Sequence, residues 1–320
     1  MALLLREADV RGLMTMNDVV QWVEAATQAA GAAQARNLPR QRAKLPRGTL
    51  HLLAGADLGL GVVGVKSYTS FRDGTRFLVL LYSAENGQLL AIVEADLLGM
   101  MRTGAASGVA TRYMANEDAR VLGLIGTGWQ AEGQLEAIAA VRPLTDVRVF
   151  SRDAEKRARF VEKMSARVPA QLRAVESAQE AVEGAPIVAT ITTSRSPVFP
   201  GDAVGAGTHV NAAGSNSLIR QEIDERLIRR ANLVVVDSRE QAREEGGDLL
   251  IPAERGWLEW SQLPELSDVV SGRVAGRSSP DDVTIFESHG LGLHDVAVAG
   301  HLYERAKAAG VGQEISLFGG

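Results

Sequence analysis

The chain has 320 residues, which suits two domains at about 100–200 residues each. Apolar residues make up 46% and charged residues 23%, an ordinary globular composition, and a formal net charge of -5 argues against nucleic acid or an anionic membrane as partner. There are no cysteines, which excludes disulfides, thiolate nucleophiles and cysteine metal ligands. The opening MALLLREADV meets Arg6, Glu7 and Asp9 too soon for the apolar region of a signal peptide. No run of about 18 apolar residues predicts a membrane span. A cytoplasmic protein is expected.

Residues 17–36 space Val20, Trp22, Val23 and Ala26 along one helix face, with Asn17 or Asp18 as N-cap. NLPRQRAKLPRG, with its two prolines, marks a change of pattern. TLHLLAG, GVVGVKSYT and RFLVLLYSA read as strands, and Asn86-Gly87 between apolar runs signals a hairpin. Residues 45–95 are therefore expected to form an antiparallel sheet. Residues 96–115, rich in small side chains, read as a helix. From residue 121 the rhythm becomes strand, helix, strand. VLGLIG, DVRVFS, QLRAVE, IVATIT, THVNAAG, NLVVVD and VTIFES are short apolar runs, as expected of strands buried on both faces of a parallel sheet. Helices are expected at 128–141 and 153–167, with a short one in SAQEAVEG and a final one at about 293–309. The fold class read from this order is α/β: a Rossmann-type doubly wound parallel sheet preceded by an α+β domain with an antiparallel sheet.

Gly126-Thr127-Gly128-Trp129-Gln130-Ala131 is a G-x-G-x-x-A pattern between a predicted strand and a predicted helix. The first glycine permits a tight turn and the second a close approach of backbone to pyrophosphate. The alanine permits close helix–strand packing, and the helix N-terminus supplies amide donors. This predicts dinucleotide binding. An acid at the end of the second strand would bond the ribose hydroxyls of NAD. The chain instead has Phe150-Ser151-Arg152, and a hydroxyl beside a guanidinium suits a 2′-phosphate. NADP(H) is therefore expected to be preferred, with NAD(H) possible. Lys156 and Arg157 are read either as added positive field or as the wet face of the next helix.

MRTGAASGVATRYMA, then GLIGTGWQAEGQLEA, THVNAAGSN and ERLIRRANLVVVDS, together resemble the ornithine cyclodeaminase/mu-crystallin family across essentially the whole chain. The resemblance implies a substrate-binding and dimerisation domain at 1–116, with a C-terminal helix at about 296–320 packing back on it. It implies a nicotinamide-binding Rossmann domain at 117–295, and a homodimer. It also implies hydride exchange between a nicotinamide and the Cα of an amino or imino acid. Three cations carry over around the substrate carboxylate: Arg42, Lys66 and Arg102. A carboxylate drawn out of water needs compensating charge, which arginine supplies in a fork. Lys66 is also the expected catalytic residue, because a desolvated lysine has a lowered pKa and can pass a proton.

One position departs from the family. The aspartate that activates water in cyclodeaminase falls at Asn216, and an amide takes no proton from water. Asn216 is left as a contact to substrate amine or nicotinamide, or as the start of a helix near SLIRQEIDE. Thr103, Thr190 and Thr192 are assigned to cofactor binding with Gly126, Thr127, Gly128, Trp129, Gln130, Ala131, Ser151 and Arg152. Phe71 or Arg72 is a candidate selector of the substrate side chain. The five histidines show no metal spacing, and no metal is expected. The leading function is reduction of a cyclic ketimine carboxylate, Δ1-pyrroline-2-carboxylate to L-proline or Δ1-piperideine-2-carboxylate to L-pipecolate. An alanine-type amino acid dehydrogenase, ornithine cyclodeaminase and a non-catalytic NADP(H)-binding protein are the alternatives, in that order.

Overall fold

Pattern reading misses the first element, because four residues are too few to show a period: Ala2–Leu5 is a strand, β1. A short helix, α1 (Glu7–Leu13), leads to α2 (Met16–Gly31). The cap of α2 is Thr15 rather than Asn17 or Asp18. The Thr15 hydroxyl accepts from Asp18 N at 3.3 Å and the Asp18 carboxylate accepts from Thr15 N at 2.9 Å, a reciprocal capping box. The two-proline segment is a strand up to Leu45, β2 (Ala35–Leu45), and Pro46 falls in the turn that follows it. Its register on the next strand shifts between Leu38 and Gln41, the bulge that holds Pro39. β2 is an edge strand, where a residue without an N–H costs the ladder least.

The strands β3 (Gly48–Asp57), β4 (Val62–Phe71), β5 (Gly74–Ser83) and β6 (Leu89–Glu94) follow as antiparallel neighbours, and then comes α3 (Asp96–Met114). Next come β7 (Val121–Ile125), α4 (Trp129–Val141), β8 (Asp146–Phe150), α5 (Ala154–Ser165) and β9 (Gln171–Ala174). α6 (Ala178–Val182), β10 (Ile187–Thr190), β11 (His209–Ala212), α7 (Glu225–Arg230) and β12 (Leu233–Val236) continue the alternation. α8 (Arg239–Glu245), α9 (Gly247–Glu254) and α10 (Leu266–Val270) precede β13 (Thr284–Glu287). The chain closes with α11 (Gly292–Ala309) and β14 (Gln313–Ile315).

The computed structural model describes residues 1–317, so the last three residues of the expected 296–320 segment lie outside the described residues. The chain divides into two compact units. The first comprises Met1–Arg102 with the segment from Gly290 onward, and the second is Thr103–His289. The division falls inside α3, so that one continuous helix belongs to both units. Among the described residues, no helix is long and apolar enough to cross a membrane.

The first unit holds a seven-stranded sheet in the order β14-β1-β6-β5-β4-β3-β2, antiparallel except where β1 joins β6. Side chains alternate between its faces. Leu53, Lys66, Val79 and Val93 are register neighbours on the face that α11 covers, and all are buried. Gly55 makes this cover possible, because a Cβ there would lie 2.6 Å from the Leu293 backbone. The opposite face keeps Leu52, Val63 and Leu78 exposed.

The second unit holds a parallel sheet in the order β12-β13-β11-β10-β7-β8-β9. The strand order reverses between β7 and β10, which is where an open α/β sheet binds ligands at its carboxyl ends. Gly126 follows β7 there, and Thr190 ends β10.

Candidate active site

In the first unit, Lys66 stands on β4 and is 2% exposed. Its Nζ reaches Asp295 Oδ1 at 2.8 Å, and Arg102 Nε reaches the same oxygen at 2.9 Å. Gly99 on α3 leaves the room, since a Cβ there would lie 2.8 Å from the ammonium. The ammonium also lies 4.8 Å from the centre of the Phe77 ring and 5.9 Å from that of Tyr68. Burial pushes the Lys66 pKa down to about 8, with Arg102 and Arg40 adding to the fall and Asp295 opposing it. Burial alone would raise Asp295. The adjacent Arg102 and Lys66 charges and their hydrogen bonds more than offset this, so the carboxyl stays below its usual range and ionised. Arg102 spends Nε on Asp295, and its Nη1 is buried with no hydrogen-bond partner among the described residues. A buried guanidinium donor of this kind fits a carboxylate ligand.

The two arginines of PRQR are placed differently. Arg40 is buried, donates to Gly290 O at 3.5 Å and is one of the charges that Lys66 feels. Arg42 is half-buried and faces His51 in the β2–β3 register. The β2 bulge decides which arginine lies by Lys66, and no spacing rule gives a bulge in advance. Phe71 and Arg72 are exposed around the β4–β5 turn. The inner-face row next to Lys66 is instead His51, Tyr68 and Phe77. His51 stacks on Tyr68 with ring centroids 4.2 Å apart, and burial first, then Arg42 and Arg40, push its pKa down to about 4.

In the second unit, Gly126 has a φ of +117° and donates its N–H to Phe150 O at 2.9 Å. Gly128 is the N-cap of α4, and no side chain caps that helix. A Cβ on Gly128 would meet nothing within 4 Å. The first-turn amides are thus presented beside open space, which fits a pyrophosphate. Ala131 is buried, while Trp129 is exposed and Gln130 half-buried. The Thr127 hydroxyl donates to Ser151 Oγ at 3.0 Å, which ties the glycine turn to the end of β8.

Arg152 is exposed and makes no ion pair among the described residues. Arg157 behaves otherwise: it is buried over the Phe150 ring and bonds both Glu176 oxygens at 3.0 and 3.1 Å. It is buried, so it is not the wet face of the helix, and its Nη1 donates to Ser151 O at 2.9 Å. Asp153 caps α5 by accepting from Lys156 N.

Thr190 is fully buried and donates its hydroxyl to Glu222 Oε2 at 2.9 Å. Glu222 also accepts from Thr192 N at 2.5 Å and Gly214 N at 2.6 Å, bracing the segments after β10 and β11. Burial first, with Asp248 adding to it and the hydrogen bonds from Thr190 and Thr192 opposing it, leaves its pKa at about 7. The Thr192 hydroxyl accepts from Ser194 N. Asn216 lies in an irregular stretch, not at a helix start, and its Oδ1 accepts from Arg220 at 3.0 Å. Thr103 is half-buried on α3, with its carbonyl 3.5 Å from Gln134 Nε2. Among the described residues, no three His, Asp or Glu side chains group as a metal site requires.

Asp295 and Glu222 are absent from the sequence reading. One signal for Asp295 exists: it is the lone acid in GLHDVAVAG, an otherwise apolar helix start, and a buried acid needs a cation.

The sequence profile of the ornithine cyclodeaminase/mu-crystallin family matches residues 2–310. Δ1-pyrroline-2-carboxylate reductase of Bacillus cereus is 36% identical over 319 residues, covering 96% of this chain and 97% of that protein. Among solved structures, Thermococcus litoralis Δ1-pyrroline-2-carboxylate reductase, in complex with NADH and L-proline, has a TM-score of 0.93 at 32% identity, covering 98% of this chain and 100% of that one. An archaeal alanine dehydrogenase dimer with bound NAD has a TM-score of 0.93 at 31% identity, covering 99% of each chain.

Proposed function

This chain belongs to the ornithine cyclodeaminase/mu-crystallin family, and on that premise we propose that it is an NAD(P)H-dependent reductase of cyclic ketimine carboxylates. Its substrates are Δ1-pyrroline-2-carboxylate, giving L-proline, or the six-membered Δ1-piperideine-2-carboxylate, giving L-pipecolate. The supporting observation is the buried pair of cations on Asp295, with Arg102 Nη1 left as a donor for a carboxylate. Arg102 and Arg40 take the substrate carboxylate, with Arg42 next along the same strand. Lys66 hydrogen-bonds the imine nitrogen and gives it a proton. When bound, the dinucleotide supplies the hydride to the C=N carbon. Gly126, Thr127 and Gly128 with the first turn of α4 hold its pyrophosphate. Ser151 and Arg152 receive the adenosine ribose. With Ser151 and Arg152 following β8 where an acid would bond the ribose diol of NAD, NADP(H) is the preferred cofactor. NAD(H) is accepted, as in the similar structures that hold it. We place the reaction in the cytoplasm, which supplies reduced nicotinamide.

Turnover tests this reading directly. Oxidation of NADPH and NADH is followed at the nicotinamide absorbance with Δ1-pyrroline-2-carboxylate, beside pyruvate plus ammonia. The expected result is rapid turnover of the cyclic imine, faster with NADPH. Turnover with pyruvate and ammonia alone would move the chain to the amino acid dehydrogenases. Equal rates with both cofactors would remove the role given to Arg152.

A homodimer joined through the first unit follows from the bare sheet face. Leu52, Val63 and Leu78 would otherwise leave an apolar surface in water, and a similar alanine dehydrogenase is a dimer. Light scattering is expected to give about twice the 34.1 kDa chain mass. Val63→Lys with Leu78→Glu is expected to give the monomer. A wild-type monomer at micromolar concentration would overturn this assembly.

A further inference from the structure

We propose that Asp295 is a positioning residue of the reaction: it aims Lys66 and Arg102 at the substrate and keeps Lys66 in its proton-bearing form. The proposal rests on the reading of Lys66 as proton donor. Its grounds are geometric. A single carboxylate oxygen receives Lys66 Nζ at 2.8 Å and Arg102 Nε at 2.9 Å, so the positions of the two cations are set by one atom. The three groups come from three elements: Lys66 from β4, Arg102 from α3 and Asp295 from the first turn of α11. Asp295 is fully buried, so water does not compete for either bond. Its place near the N-terminus of an 18-residue helix favours the ionised form. The neighbouring His294 is turned to Thr27 Oγ1 of α2, at 3.2 Å, and does not bond the carboxylate.

Charge counting explains why such a residue is needed. The charged groups facing Lys66 are Asp295 from α11, Arg102 from α3 and Arg40 from β2, with the uncharged Tyr68 and Phe77 rings beside it. Without the aspartate, burial and two guanidinium groups all act against the ammonium, and it would lose its proton. With it, the cations still exceed the anion, which leaves net positive charge for the substrate carboxylate. Asp295 thus holds apart two needs that conflict: a crowd of cations for binding, and a lysine that stays protonated for catalysis.

The test is Asp295→Asn, with Asp295→Glu as its partner. In the wild type, kcat/KM for the cyclic ketimine is expected to fall as pH rises through about 8. In Asp295→Asn this basic limb should move down by about one unit or more, the effect of losing one close opposite charge. At pH 7 a one-unit fall alone roughly halves the protonated fraction and the lost aim adds to it, so the rate should drop by about 10-fold or more. Asp295→Glu should keep the wild-type limb and lose rate, because the charge remains but the aim changes. NADPH binding, read by fluorescence, should be unchanged in both. An Asp295→Asn enzyme that folds and keeps the wild-type limb overturns the proposal. Should Asp295→Asn not fold, an Asp295→Glu enzyme with unchanged rate overturns it instead. The Lys66 titration is also read directly, by NMR of 13C-labelled lysine. A wild type with no ketimine turnover then retires the substrate reading alone, while the shift of Lys66 in Asp295→Asn still decides the role of Asp295.

Discussion

Lys66→Met is expected to lower kcat/KM for the cyclic ketimine by about 1,000-fold, within the range that one general acid contributes, while NADPH binding and folding stay near wild type. Methionine is unbranched and of similar length, so it fills the space of a side chain that is 2% exposed without a void. The substitution removes one of the two cations on Asp295 and leaves Arg102 Nε at 2.9 Å, so the buried carboxylate keeps a partner. Relief from burying an ammonium offsets part of what is lost. The wild-type pH dependence carries the sign of the role. The proton-bearing form of Lys66 prevails below about 8, so the rate declines as pH rises through that value. Lys66→Arg is expected to be about as inactive as Lys66→Met, because a guanidinium holds its proton at all relevant pH values. Wild-type turnover by Lys66→Met would end the assignment of the proton donor.

The parts of the fold legible in the sequence are those whose pattern is local. Strands β7, β10, β11 and β13 are buried on both faces and so read as largely apolar runs. The glycine turn after β7 is legible because the chemistry of the turn is written in consecutive residues. β2 is not legible: ARNLPRQRAKL has the composition of a loop, and only its ladder to β3 makes it a strand. β1 and β14 are equally dependent on distant partners, pairing with each other across nearly the whole chain. The same division runs through the site. Lys66 and Arg102 are legible as candidates because each sits in a recognisable stretch. Asp295 lies 229 residues from Lys66 in sequence, and their pairing is a product of the fold alone. The choice between Arg40 and Arg42 depended on a bulge. The place of Thr190 at the end of a strand suggests a cofactor contact, and the structure commits its hydroxyl to Glu222. A position in the sequence gives a residue's neighbourhood, but not which polar group inside it has a prior claim.

The two glycines of the cofactor turn should fail in different ways, and this separates what the fold needs from what the ligand needs. Gly126→Val is expected to weaken NADPH binding by at least about 100-fold and to lower thermal stability as well. Its φ of +117° is a backbone state that a β-branched residue enters at a cost of about 1–3 kcal/mol. A Cβ there would also lie 2.5 Å from Ile191 O. Neither side can yield easily. Gly126 N is bonded to Phe150 O at 2.9 Å, and Ile191 N to Ile125 O at 2.9 Å, so the turn is held between β8 and the end of β10. Opening it moves the N-terminus of α4, and every 1.4 kcal/mol or so lost from binding is tenfold in affinity. Gly128→Ala presents the opposite case. Its Cβ meets no protein atom within 4 Å, so the free protein should melt at the wild-type temperature. Only the bound pyrophosphate should meet the added methyl, and affinity should fall about 10-fold or more with no loss of stability. Calorimetry and fluorescence titration on both variants check the pair. Wild-type affinity in Gly128→Ala would mean that the dinucleotide does not approach the chain at this turn, whatever Gly126→Val does to the fold.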